Sequence, residues 1–226
     1  MKSEQIDVII AVYNGEKFIE EAIASAQNQT WKDLNIIVAD DGSTDGTLAI
    51  ISTLAAADER ISVLARSHEG VSATLNAAIQ FSKAKYIAFL DADDIWDVNK
   101  LTLQMEALAN SENEVCFCMI QEFEDFPKDS IQSHRARTEP MKGFSKLAFL
   151  GHRAIFTRFG LFDEAVAIGD FVDWFSRVVR ANVSVIMLDQ VLAFRRIHEN
   201  NTTRNVSKGL FLKLLKTHLD ARRKES

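Results

Sequence analysis

Four times in the first 110 residues a short apolar run of strand length gives way to a segment with apolar residues at helical spacing. "IDVIIAV" precedes "EKFIEEAIASAQNQ", in which Phe18, Ile19, Ala22, Ile23 and Ala26 share one helical face. "LNIIVAD" precedes "TDGTLAIISTLAAA", "ISVLAR" precedes "VSATLNAAIQFSK", and "KYIAFLD" precedes "VNKLTLQMEALAN". Alternation of this kind predicts an α/β fold, a mostly parallel sheet with helices on both faces. In such sheets ligands sit outside the carboxyl ends of the strands, so the loops that follow the strands are where chemistry is expected.

The chain has 226 residues, 47% of them apolar, enough to bury the core of one domain. We divide it into residues 1–110, an acceptor-side half over 111–206 and a C-terminal helix over 207–226. A formal charge of −6 argues against general nucleic-acid binding, and no stretch reaches the roughly 18 apolar residues of a membrane span. "MKSEQIDVII" has no signal-peptide layout, so a cytoplasmic location is expected. Cys116 and Cys118 lie in a strand-like "CFC", and no further Cys could complete a thiolate cage; they read as reduced core residues.

The four loops, "VYNGEKF", "DDGSTDGT", "SHEGVSA" and "DADD", should open on one rim of the sheet. Ser43, Thr44 and Asp45 suit a turn and helix cap. Asp40 and Asp41, at the strand's end, can instead point into the crevice. Asp91, Asp93 and Asp94 would repel one another and raise each other's pKa unless a cation joined them. All-oxygen ligation suits Mg²⁺ or Mn²⁺, ions that share their shell with water and substrate phosphates. Neither G-x-x-x-x-G-K nor G-x-G-x-x-G occurs, so phosphates would be held by metal and not by a glycine nest.

"VIIAVYNGEKFIEEAIASAQNQTW", "IIVADDGSTDGT", "GVSATLNAAI" and "YIAFLDADD", in this order and spacing, resemble the nucleotide-sugar half of the family 2 inverting glycosyltransferases. The resemblance spans roughly Ile6 to Leu108. It implies the GT-A fold, Rossmann-like with a smaller acceptor-side region. It also implies metal-dependent, inverting transfer of a hexosyl or N-acetylhexosaminyl group from a nucleoside-diphosphate sugar, UDP being favoured. By the same resemblance Ala11, Val12 and Tyr13 line the base, and Asp41 accepts a ring N–H of uracil. Asn76, Asp91 and Ala92 complete the donor site, and Asp93 ligates Mn²⁺ or Mg²⁺. Two positions depart from the pattern: Ala11 stands where proline is usual, and Leu75 where many relatives carry arginine.

In the second half, "GLFDEAVAIGDFVDWFSRVVRANVSVIMLDQVLAFRRIHENN" resembles the family's acceptor-side block. Gly169 replaces the first member of an acidic pair, leaving Asp170 as the general base; a helix N-cap is the competing reading. Asp173 is the substitute base, or pairs with Arg177 four residues on. By the same resemblance the strand "QVLAFRRI" delivers His198 to the metal, with Arg195 or Arg196 available to a phosphate. His68, His134, His152 and His218 have no comparable context and are assigned to solvent or the acceptor rim. "QEFEDFPKDSIQSHRARTEPMKG" reads as a long loop able to serve as a lid.

The tail places Leu210, Phe211, Leu214, Leu215 and Leu219 on one helical face, to pack on its own domain, on a partner or peripherally on an anionic membrane. Acceptors compatible with these features are carbohydrates, lipid-linked sugars and peptides. Two rival functions remain at this stage. A sugar nucleotidyltransferase would need a glycine-rich basic loop that "VIIAVYNGEKF" lacks, and a noncatalytic donor-binding relative is suggested by Gly169 and Leu75.

Overall fold

Each of the first four apolar runs becomes a strand, and the helical-period segment after it a helix. The computed structural model describes residues 4–111, 114–125, 136–166, 169–199 and 201. The four pairs are β1 (Ile6–Val12) with α1 (Ile19–Gln27), β2 (Leu34–Asp40) with α2 (Thr47–Ala57), β3 (Ile61–Ala65) with α3 (Val71–Phe81), and β4 (Tyr86–Phe89) with α4 (Lys100–Ala109). Nearly every residue of β1, β2 and β4 is buried, which is why these strands are continuously apolar and not alternating. A two-residue strand, β5 (Ile95–Trp96), intervenes between β4 and α4. Then follow β6 (Val115–Glu124), β7 (Met141–Lys142), β8 (Leu150–His152), α5 (Ala154–Phe159), α6 (Asp170–Arg180) and β9 (Val185–Ile197).

The strands form one sheet in the order β3-β2-β1-β4-β8-β6-β9-β5, with β7 beside β6. The β3-β2-β1-β4 half is parallel, as the alternation predicts. Beyond β4 the sheet is mixed: β8 runs antiparallel to both β4 and β6, β9 is parallel to β6, and β5 is antiparallel to β9. Gln121 to Glu124, expected at the start of the long loop, instead extend β6, because β9 is long enough to pair with them. The lid segment over 126–135 and the tail helix over 207–226 lie outside the described residues, as do His134 and His218.

Strand order reverses direction at β1, whose chain successor β2 lies on one side and β4 on the other, and such a switch point is where an open α/β sheet leaves a crevice. β1 stays paired with β2 as far as Val12, but with β4 only to Ile9. The chain after Phe89 therefore diverges from β1, and the gap opens beside Ala11, Val12 and the acidic loop.

An aromatic cluster ties the second half to this crevice. Trp174 of α6 stacks on Phe156 at 4.5 Å, with its indole N–H donating to the Gly160 carbonyl at 2.8 Å. Phe149, Phe162 and Phe171 surround Trp174 with ring centroids 5.6 to 5.8 Å away. Phe89, two residues before Asp91, packs against Phe149, Phe156 and Phe162. One well-packed core thus fixes both the end of β4 and the helix that begins at Asp170, and aromatic burial of this kind holds geometry firmly.

Candidate active site

The first two loops are laced together. Asn14 N donates to Ser43 Oγ at 2.8 Å, Gly15 N to Thr47 Oγ1 at 2.8 Å, and Thr44 N to Asn14 Oδ1 at 2.8 Å. Ser43 and Thr44 therefore bridge loops, while Asp45 alone of the three accepts the Thr47 amide at the start of α2. Gly15 is required by close approach: a Cβ there would lie 2.6 Å from Val12 Cγ2 and 3.9 Å from Ala92 Cβ. The same approach sets Ala92, in the acidic loop, against the turn that follows Ala11, Val12 and Tyr13.

Asp41 is buried at the end of β2 and accepts from Glu69 N at 2.9 Å, Gly70 N at 3.0 Å and Thr74 Oγ1 at 2.7 Å. Burial alone would raise its pKa, but these hydrogen bonds and His68 outweigh it and hold the carboxyl below its usual range. Tyr13 stands at the crevice mouth, 46% exposed. Its neighbour Asp40 is also buried, one oxygen accepting Ser43 N at 3.1 Å and the other without a partner among the described residues.

Asp93 and His198, 105 residues apart in sequence, meet with His198 Nε2 2.9 Å from Asp93 Oδ2. The pairing of β5 with β9, Ile95 opposite Phe194, brings the two loops together. Asn201 secures the corner: its Oδ1 accepts His198 N at 2.6 Å, and its Nδ2 donates to Arg196 O at 3.0 Å and Asp93 Oδ2 at 3.3 Å. Asn201 was not singled out from sequence; an Asn in a polar turn carries no distinguishing signal until its neighbours are known.

These atoms fit a divalent ion. Adjacent ligands of an octahedral ion bound at about 2.1 Å lie about 3 Å apart, so an ion could replace the His198–Asp93 hydrogen bond with little movement. No group of three or more His, Cys, Asp or Glu side chains forms a metal cage among the described residues. An ion here would complete its shell with water and donor oxygens, the habit of Mg²⁺ and Mn²⁺.

Asp91 and Asp94 have different surroundings. Asp94 is buried and accepts Arg196 N at 2.7 Å, and burial followed by the charges of Asp93 and Asp91 pushes its pKa well up. It ties the acidic loop to β9. For Asp91, burial is again the main upward influence, opposed by Lys146 and reinforced by Asp93 and Asp170.

Asp170 begins α6; Gly169, in the left-handed region at φ 83°, occupies the cap position. The Asp170 carboxylate accepts Phe171 N at 2.8 Å and is held by Lys146 Nζ at 2.9 and 3.2 Å from its two oxygens. Lys146 went unnoticed in the sequence because nothing in "GFSKLAF" distinguishes it from a surface lysine. Asp173 lies 3.7 Å from Arg177, whose guanidinium also donates to the Phe159 and Leu161 carbonyls at 2.7 and 2.6 Å, clamping α5 to α6.

Three expected contacts are already committed elsewhere. Asn76 is buried, and its amide spans to Phe162 N, Phe162 O and Glu164 at 2.9 Å each, joining α3 to the acceptor-side half. Arg196 is buried between Phe18 and Phe123, 4.7 Å from each ring, with Nε donating to Asp93 O at 2.9 Å and an ion pair to Glu21. It is a structural clamp, not a free phosphate ligand. Arg195 pairs with Glu122 at 3.4 Å.

Comparison with known proteins identifies the family and the fold. The pattern of Glycosyl transferase family 2 matches residues 7–166. An uncharacterized glycosyltransferase of Rickettsia prowazekii (strain Madrid E) is 32% identical over 217 residues, 89% of this chain and 66% of the relative. Among solved structures, S. aureus TarS 1-349 in complex with UDP-GlcNAc superposes with a TM-score of 0.72 at 19% identity, over 90% of this chain and 61% of TarS. The mannosyltransferase PcManGT of Pyrobaculum calidifontis, in complex with GDP-Man and Mn²⁺, gives 0.71 at 17% identity, over 89% and 59%. The chain spans less than two thirds of the length of each of these proteins. Among the described residues no helix is long and apolar enough to cross a membrane. The fold is GT-A, and the matched pattern covers well over half of the chain: this protein belongs to glycosyl transferase family 2.

Proposed function

We propose that this chain transfers a sugar from a nucleoside-diphosphate sugar, with UDP as the nucleotide, to an acceptor hydroxyl, with inversion at the anomeric carbon. One observation supports the reading: the charges of Asp93, Asp170 and Lys146 all act on Asp91, as expected if the proposed metal ligand and the proposed base lie about the same acidic loop. Tyr13, Ala11, Val12 and Asp41 receive the base, and Asp91 and Ala92 border the ribose and diphosphate. The complexes of TarS with UDP-GlcNAc and of PcManGT with GDP-Man and Mn²⁺ support a donor of this class.

Asp93 and His198 would hold Mn²⁺ or Mg²⁺, which when bound acts as a Lewis acid on the diphosphate charge. Asp170 takes the proton of the acceptor hydroxyl onto its carboxylate, the acceptor oxygen bonds to the anomeric carbon, and the bond to the diphosphate oxygen breaks. Lys146 holds the Asp170 carboxylate in position before the acceptor arrives. The acceptor is a carbohydrate or lipid-linked hydroxyl entering past α6, which suits a cytoplasmic enzyme working at the membrane face.

The test is a thermal-shift and product-release panel of nucleotide sugars with and without Mn²⁺. UDP-sugars should raise the melting temperature only with metal and should release UDP slowly in water. Asp170→Asn should keep donor binding and lose release. Metal-dependent donor binding without release by any sugar would favour the noncatalytic reading, and undiminished turnover by Asp170→Asn would remove that residue as base.

A further inference from the structure

His68 has no part in the scheme above, yet its ring lies in the slot assigned to the base. It stacks on Tyr13 with ring centroids 4.1 Å apart and planes 22° apart. Its Nδ1 is 2.9 Å from Asp41 Oδ2 and 3.1 Å from the Asp41 carbonyl oxygen. Both facing atoms are acceptors, so Nδ1 carries the proton. A flat ring on an aromatic face, with a ring N–H directed at a carboxylate, is also what uracil would present there.

A carboxylate offers about four lone-pair directions; three of those on Asp41 take hydrogen bonds, and the His68 ring lies over the remaining one. Oδ1 receives Glu69 N and Thr74 Oγ1, and Oδ2 receives Gly70 N; His68 Nδ1 approaches Oδ2 at 2.9 Å while hydrogen-bonding the Asp41 carbonyl oxygen, a fourth donor on this residue. Three of these donors hold the start of α3. The fourth belongs to a side chain that is 57% exposed. His68 can therefore leave by side-chain rotation alone while Glu69 and Gly70 stay bound. Gly42, with φ 76°, permits this packing: a Cβ there would come within 3.0 Å of His68 N.

We propose that His68 is an intramolecular surrogate for the nucleobase, filling the slot in the donor-free protein and swinging out when the base replaces it. This rests on the base-slot reading given above. Two consequences follow from the geometry. Apparent donor affinity is lowered by the fraction of molecules in which the slot is closed. Bases with a ring N–H are selected, because only they return a donor to the Asp41 oxygens that the His68 N–H vacates; adenine offers no such donor.

Calorimetric titration of UMP, and of UDP with Mn²⁺, into the full chain and its His68→Ala variant tests this. The variant should bind both about tenfold more tightly and by a common factor, since both share the base. In the parent, the His68 imidazole resonances should lose the Tyr13 ring-current shift when UMP is added. Equal or weaker binding by the variant, with the parent still binding, overturns the surrogate; weaker binding would make His68 a second stacking wall. If neither protein binds a uridine nucleotide, the base-slot reading itself falls, and the surrogate with it.

Discussion

Lys146 Nζ lies 2.9 and 3.2 Å from the two carboxylate oxygens of Asp170, with little of either side chain exposed. The pair joins the short 3-10 turn Lys146–Ala148 to the first residue of α6, and so fixes where the proposed base points. Removing one partner of a mostly buried pair leaves an uncompensated charge.

Lys146→Met should accordingly destabilise the protein by about 2–3 kcal/mol and lower kcat for UDP release, with KM for the donor little changed. Lys146→Arg should recover a large part of both. Chemical denaturation with steady-state kinetics measures this, and equal losses in KM and kcat would mean that Lys146 serves the donor instead.

Asp93 and His198 should behave as a unit. Either alanine substitution should abolish most metal-dependent UDP affinity, and the double variant should be scarcely worse than the singles, because both hold one ion. Calorimetry with and without Mn²⁺ reads the cycle. Additive losses would mean that the 2.9 Å contact is only a local hydrogen bond.

Arg196 should matter for stability more than for phosphate. Its guanidinium sits between two rings and links α1, β9 and the acidic loop, so Arg196→Lys should cost about 1–3 kcal/mol despite keeping the charge. Thermal denaturation checks this. A large loss of UDP affinity at unchanged melting temperature would return Arg196 to the donor.

Lys100 is fully buried, with Nζ 2.8 Å from Gln104 Oε1 and 4.0 Å above the Trp96 ring. Burial lowers its pKa from 10.5 to about 8. Between those values the unfolded chain binds more protons than the folded one, so this residue's contribution to stability rises with pH through that window. Below it, the buried ammonium costs the full difference, about 3 kcal/mol. Lys100→Met should therefore be stabilising relative to the parent at pH 7, less the lost hydrogen bond. That advantage should shrink by about 2 kcal/mol by pH 9.5. Urea denaturation at the two pH values decides it; an advantage that does not change with pH would show that Lys100 keeps its proton in the folded protein through this window, its pKa unshifted by burial.

Local periodicity was enough to write down the four strand–helix pairs, the rim on which their loops open and the acidic residues on that rim, because each of these depends on neighbours in sequence. The same information nominated Asp41, Asp91, Asp93, Asp170 and His198 as candidates, since carboxylates and imidazoles stand out at strand and helix ends. It could not say which side chains were already engaged. Asn76 and Arg196 read as donor ligands until tertiary contacts showed one joining α3 to Phe162 and the other wedged between Phe18 and Phe123. Lys146, Asn201 and His68 were unremarkable as letters, because their significance depends on partners 24, 108 and 27 residues away. The antiparallel insertion of β8 and the β5–β9 pairing were likewise decided only in three dimensions, where non-local hydrogen bonding selects among strands that look alike in isolation. Elements and rim follow from short-range pattern; the company each polar group keeps follows from the packing of distant segments, and that company sets what each group can do.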